Sequence, residues 1–212
     1  MIRRELVIPS DPRIWLASWP RCGNTLLRLI LHHCFGIKSD TAYENDITGE
    51  FSSNTSKLVK THNKPPNDSP AIYIVRDGRE ACVSYMHYMR QTDRDKNGPP
   101  LRWVIEGHHS VWFGTWSQHI ALWSPRTRTD TLLLSYENMV ASPGQAVEQI
   151  AEFLNANPTG NSLPTFASLH KALPTFFRSG TNETWKTEMI GDNLDLFWAL
   201  HGDAMAEYGY EP

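Results

Sequence analysis

Four short segments combine residue types that can hold anions and move a proton. Arg21-Cys22-Gly23-Asn24-Thr25 places a full positive charge and a glycine directly ahead of an apolar helical run. The free amides at such a helix start can cradle an anion. The G-x-x-x-x-G-K-S/T spacing of the Walker loop is absent, and an ordinary strand-to-helix turn fits the same residues. Lys60-Thr61-His62 sets a cation and a potential base two positions apart, although a structural histidine also fits. Arg76 and Ser84 lie eight positions apart, one at the end of an apolar run and the other in the helical stretch that follows. An exposed, salt-bridging arginine is the alternative there. Late in the chain, Phe176-Phe177-Arg178-Ser179-Gly180 offers a cation and backbone amides to a phosphate, or else forms a surface loop anchored by two aromatics.

The elements that must position these residues follow from hydrophobic periodicity. Short apolar runs at 13–19, 58–62, 71–75 and 131–136 read as buried strands. Helical stretches read at 26–35, ended by Gly36, at 80–89, and from about Gly144 to Leu154, with Val147, Ile150, Ala151 and Leu154 on the apolar side. Strands alternating with helices predict an α/β fold, doubly wound, with a mostly parallel central sheet covered by helices on both faces. In such sheets ligands sit at the carboxyl ends of the strands, where the first three segments fall. Gln91 to Pro100 and Asn155 to Pro164 read as loops, the first of them mobile over one edge of the site.

At 212 residues, with 40% hydrophobic and 20% charged composition, the chain is expected to form a single domain, 1–212. A net charge of -3 argues against a nucleic-acid binder, whose affinity rests on many Lys and Arg contacts to phosphate. There is neither an apolar run of about 18 residues nor a signal-like start, so no membrane partner and a cytoplasmic location are expected. Cys22, Cys34 and Cys82 show no C-x-x-C spacing and read as buried thiols. No metal is expected: H-x-x-x-H spacing is missing, and the His32-His33 and His108-His109 pairs are adjacent in sequence.

Taken together and in this order, the segments resemble the cytosolic sulfotransferases and their bacterial relatives. Trp19-Pro20-Arg21-Cys22-Gly23-Asn24-Thr25 is similar to the family's phosphosulfate loop, usually Tyr-Pro-Lys-Ser-Gly-Thr-Thr. The run from Val75-Arg76-Asp77 to Ser84-Tyr85 is similar to its 3′-phosphate motif, Lys60-Thr61-His62 to the segment with the catalytic histidine, and Arg178-Ser179-Gly180 through Trp185-Lys186 to its late phosphate loop. Away from the phosphates, Gly114 to Trp123 resembles a Gly-x-Trp-x-x-His-Val-x-x-Trp helix, and Tyr136-Glu137-Asn138 a Tyr-Glu-Asp strand end. The likeness runs from about Ile14 to Lys186.

This resemblance implies a P-loop-like fold and sulfuryl transfer from 3′-phosphoadenosine-5′-phosphosulfate (PAPS) to a hydroxyl or amine of a small organic acceptor, with release of 3′-phosphoadenosine-5′-phosphate (PAP) and no metal. It implies His62 as general base, Arg21 against the leaving oxygen, Lys60 on the sulfuryl oxygens and Ser84 bonding both the 3′-phosphate and the Arg21 region. The loop Arg21, Cys22, Gly23, Asn24 and Thr25 would bind the 5′-phosphate, and Arg76, Arg178, Ser179 and Gly180 the 3′-phosphate. Tyr136 would bond the adenine; Leu26 stands where many members carry Trp, so the aromatic platform is either missing or supplied by Phe166 or Phe176. Tyr85, His87 and Tyr88 are the expected acceptor contacts. Further departures are Arg21 for a lysine, Ser179 for a lysine and Glu183 for a glycine. The dimer segment Lys-x-x-x-Thr-Val is not evident, leaving the oligomeric state open. A small-molecule kinase and a non-catalytic nucleotide-binding relative are the rival readings.

Overall fold

In the computed structural model, the described residues are 13–42, 56–92, 98–108, 113–160, 163, 171 and 183–212. Five strands, β1 (Ile14–Ser18), β2 (Asp40–Thr41), β3 (Leu58–Thr61), β4 (Ala71–Val75) and β5 (Thr131–Ser135), form one sheet in the order β2-β3-β1-β4-β5. Every pairing is parallel. The chain runs from β1 to the β2 edge, returns through β3 beside β1 and then crosses to β4 and β5 on the other side, which makes the end of β1 the switch point where a ligand crevice opens.

Alternation along the strands sorts the core into two layers. Trp15, Ala17, Val59, Ala71, Tyr73 and Val75 face one cluster, which is covered by α2 (Gly78–Thr92), α3 (Leu101–Glu106), α4 (Trp116–Trp123) and α8 (Asp192–Glu207). Leu16, Leu58, Ile72, Ile74 and Leu134 face the other, covered by α1 (Asn24–Phe35), α5 (Tyr136–Ala141) and α6 (Pro143–Leu154). A four-residue helix, α7 (Trp185–Glu188), rests against the α2 side. Strands buried on both faces explain why their sequences read as continuous apolar runs.

The sequence boundaries agree with this architecture to within two or three residues. The two-residue β2 and the helices α3, α5, α7 and α8 did not declare themselves. Residues Ser135-Tyr136-Glu137 close β5 with a hydroxyl cap: Ser135 Oγ accepts from the Asn138 amide, so α5 begins at once. Trp103 is 41% exposed on α3. Cys22, Cys34 and Cys82 are free and buried, and burial pushes each thiol up. No helix among the described residues is long and apolar enough to cross a membrane.

Candidate active site at four neighbouring strand ends

The turn after β1 is built on two left-handed residues, Arg21 (φ 65°) and Gly23 (φ 106°). Glycine is required at the second. A Cβ there would lie 2.5 Å from Cδ2 of Tyr136, so the tyrosine ring can pack on the turn only because position 23 has no side chain. The Asn24 side chain points inward and donates to the Leu16 carbonyl at 2.7 Å, tying the turn to its strand. Cys22 is also spent internally: its side chain is in the core and its amide donates to the Trp19 carbonyl. No side chain caps α1 and its first turn carries no acid, so the positive end of the helix dipole is not countered locally. Thr25 is half-buried there, whereas Leu26 joins the core cluster beneath.

Arg76, at the end of β4, binds this turn to the rest of the site. Its Nη1 donates to the Arg21 carbonyl at 2.9 Å, its guanidinium lies 4.1 Å from the centre of the Tyr136 ring, and its Nη2 is 3.6 Å from Glu80. A flat guanidinium can stack and donate in this way where an ammonium could not. Glu80 also accepts from the Trp185 amide, which anchors α7. Glu137 accepts from the Asp77 amide, Ser135 Oγ and Tyr210 Oη, bracing the ends of β4 and β5. Asp77 is engaged separately by Arg79, whose guanidinium stacks 3.7 Å over Trp185.

Arg21 Nε donates to Ser84 Oγ at 3.2 Å, and its guanidinium lies 5.2 Å from the centre of the Tyr88 ring. This bond ties Ser84 of α2 to the turn after β1.

His62 follows β3, the strand beside β1. Its Nδ1 lies 2.8 Å from the Ser18 carbonyl; because a carbonyl can only accept, Nδ1 carries the proton and Nε2 of the neutral ring carries the lone pair. Part of the residue reaches solvent. Desolvation of the ring, followed by the nearby Lys60 charge, nonetheless lowers its pKa to about 3 against the opposing Ser18 bond. The imidazole is accordingly neutral at neutral pH. Lys60 extends from the face of β3 shared with Leu58, opposite Thr61.

Beside His62 stands an aromatic wall. The Phe113 ring lies 6.4 Å from that of His62, 5.9 Å from Trp19 and 5.6 Å from Tyr85. Trp19 and Phe113 were not singled out individually from sequence, because an aromatic cluster beside a site and an aromatic core use the same residue types. Tyr85 belongs to this wall and Tyr88 stacks beside it. His87 instead turns to α7, where its Nε2 meets Glu188 at 2.6 Å. The residues Phe166, Phe176, Arg178, Ser179 and Gly180 lie outside the described residues. Glu183, in place of a glycine, pairs with Lys186 at the surface.

A family model for the sulfotransferase domain matches residues 50–209. Luciferin sulfotransferase of Photinus pyralis is 26% identical over 196 residues, covering 74% of this chain and 53% of that protein. The 3-alpha-hydroxysteroid sulfotransferase of Cavia porcellus is 26% identical over 167 residues, covering 66% and 57%. The chain thus spans about half the length of these curated relatives. Among solved structures, a mouse sulfotransferase complexed with PAP superposes with a TM-score of 0.63 at 19% identity, covering 93% of this chain and 89% of that one. Retinol dehydratase in a complex with retinol and PAP gives 0.66 at 16% identity, covering 98% and 85%. These likenesses show a shared fold, in keeping with the parallel sheet and the P-loop-like turn after its central strand. With the match over 50–209 spanning most of the sequence, the chain belongs to the sulfotransferase domain family.

Proposed function

We propose that this protein transfers a sulfuryl group from PAPS to a hydroxyl or amine of a small organic acceptor, releasing PAP. The observation that carries the reading is the orientation of His62, with Nδ1 committed to Ser18 at the end of the anion-binding strand. The acceptor oxygen forms its bond to sulfur as the bond from sulfur to the bridging phosphate oxygen breaks. The acceptor proton goes to Nε2 of His62, and the Ser18 carbonyl supports the imidazolium that results.

Arg21 neutralises charge growing on the bridging oxygen, and Ser84 holds its guanidinium in place. The amides of Gly23, Asn24 and Thr25, with the Thr25 hydroxyl, hold the 5′-phosphate. Arg76, Arg178 and the Gly180 amide hold the 3′-phosphate, while Tyr136 faces the adenine and Lys60 the sulfuryl oxygens. Positioning and charge stabilisation do the work, as in phosphoryl transfer. The steroid and retinol named for relatives indicate that apolar small molecules suit this family's sites. Phe113, half-buried beside His62 and backed by the buried rings of Trp19 and Tyr85, offers an apolar edge to such an acceptor.

The test is an assay with radiolabelled sulfate donor and a panel of phenols, alcohols, amines and sugars. Label appearing on one acceptor class with stoichiometric PAP is the expected result. Turnover of ATP with Mg²⁺ in place of PAPS would instead identify a kinase, and tight PAP binding without turnover a non-catalytic relative.

A further inference from the structure

Helix α4 presents three ring N–H donors along one side, at positions 116, 119 and 123, and each is spent on a main-chain carbonyl at a strand end of the site. Trp116 Nε1 donates to the Arg76 carbonyl at 3.1 Å. His119 Nε2 donates to the His62 carbonyl at 3.0 Å, and Trp123 Nε1 to the Asn63 carbonyl at 2.9 Å. All three side chains are buried, at 1%, 0% and 1% exposure. A plain core helix would bury the same area with leucines and make none of these bonds.

The tautomer of His119 follows from its partners. Since Nε2 must carry the proton given to a carbonyl, Nδ1 is an acceptor, and Tyr73 Oη, 2.8 Å away and also fully buried, is its donor. Burial lowers the His119 pKa to about 4, so the neutral ring persists. The start of α4 is secured by a reciprocal capping box between Thr115 and Gln118. Its approach to α2 depends on Gly78, where a Cβ would lie 2.8 Å from the Trp116 ring.

We propose that α4 is a positioning template, in which His119 sets the peptide that aims His62 while Trp116 sets the peptide that aims Arg76. The inference rests on the reading of His62 as base and Arg76 as nucleotide ligand. It predicts that changes on a single helix separate into two kinetic classes. His119→Phe keeps the ring volume and removes the donor; kcat should fall by about 10- to 100-fold, the scale of a small misplacement of a reacting group, with PAP affinity nearly unchanged. His119→Gln, whose amide nitrogen can reach the position of Nε2, should recover most of the loss. Trp116→Phe should instead weaken PAP binding severalfold while kcat at saturating donor is largely kept.

The experiment is steady-state kinetics with PAPS, titration calorimetry with PAP and a thermal melt on each variant, with His62→Gln run in parallel. If His119→Phe does not fold, Tyr73→Phe serves in its place: losing the hydroxyl that fixes the tautomer should lower kcat in the same direction but less. Equal losses of kcat and PAP affinity in both helix variants would overturn the inference, as would unchanged kcat in His119→Phe. An inactive His62→Gln beside an unaffected His119→Phe sinks the template alone; a fully active His62→Gln sinks the base assignment, and the Trp116 arm still judges the template at Arg76.

Discussion

The guanidinium of Arg76 donates to the main-chain carbonyl of Arg21 at 2.9 Å, so the turns after β1 and β4 form one unit. A ligand that meets one of them meets the other in a defined geometry. The Tyr136 ring, set against both Gly23 and Arg76, adds the end of β5 to the same unit.

Arg76→Ala should weaken PAP binding by roughly 10- to 100-fold, the scale of losing a charge-assisted hydrogen bond to phosphate. It also frees the Arg21 carbonyl and removes the stack on Tyr136. Titration calorimetry with PAP reads the change, and an unaltered affinity would take Arg76 out of the nucleotide site.

Gly23→Ala should cost about 1–3 kcal/mol of stability from its left-handed backbone alone, and more from the clash with Tyr136. Adding Tyr136→Ala should relieve the clash and leave the backbone term. Urea denaturation of the single and double variants separates the two contributions; no recovery in the double variant would show that the ring is not the obstacle.

His62→Ala should lower kcat by about 10²- to 10⁴-fold, the usual range for a general base, while PAP affinity stays close to that of the parent. Calorimetry and turnover on the same preparation test this. Parallel losses in both would mean that His62 shapes the nucleotide site and does not act on the acceptor.

The folded pKa values of His62, His119 and His201 are lowered to about 3, 4 and 4, in each case chiefly by burial. In the unfolded chain these rings titrate near 6.5, so between that value and the folded ones the unfolded state binds more protons. Stability therefore rises with pH across the window: it is fully present above about 6.5 and is lost progressively as pH falls toward 4. Melting temperatures should already drop between pH 6.5 and 5, above the ordinary carboxylate range. A flat profile over that interval would contradict the burial of these rings.

Much of this protein was legible in the linear chain. Apolar runs of strand length, a glycine placed ahead of a helix, and Gly36 in its left-handed cap are local features that neighbouring residues alone enforce, so β1, β3, β4, β5, α1, α2 and α6 could be read directly. The segments bearing Arg21, His62 and Arg76 stood out for the same reason, since each follows a strand, whereas Tyr136 was marked only by the family resemblance.

Tertiary structure decided what those segments do together. The order β3-β1-β4-β5 sets four strand ends side by side, and strand order depends on pairings between residues far apart in sequence. The tautomer of His62 depends on Ser18, 44 positions away, and the use of the three α4 rings depends on carbonyls 40 to 60 positions away. A buried tryptophan that grips a site carbonyl has the same sequence signature as one that only fills a core. What separates them is the direction of a single N–H bond, which packing against distant chain sets and local sequence does not.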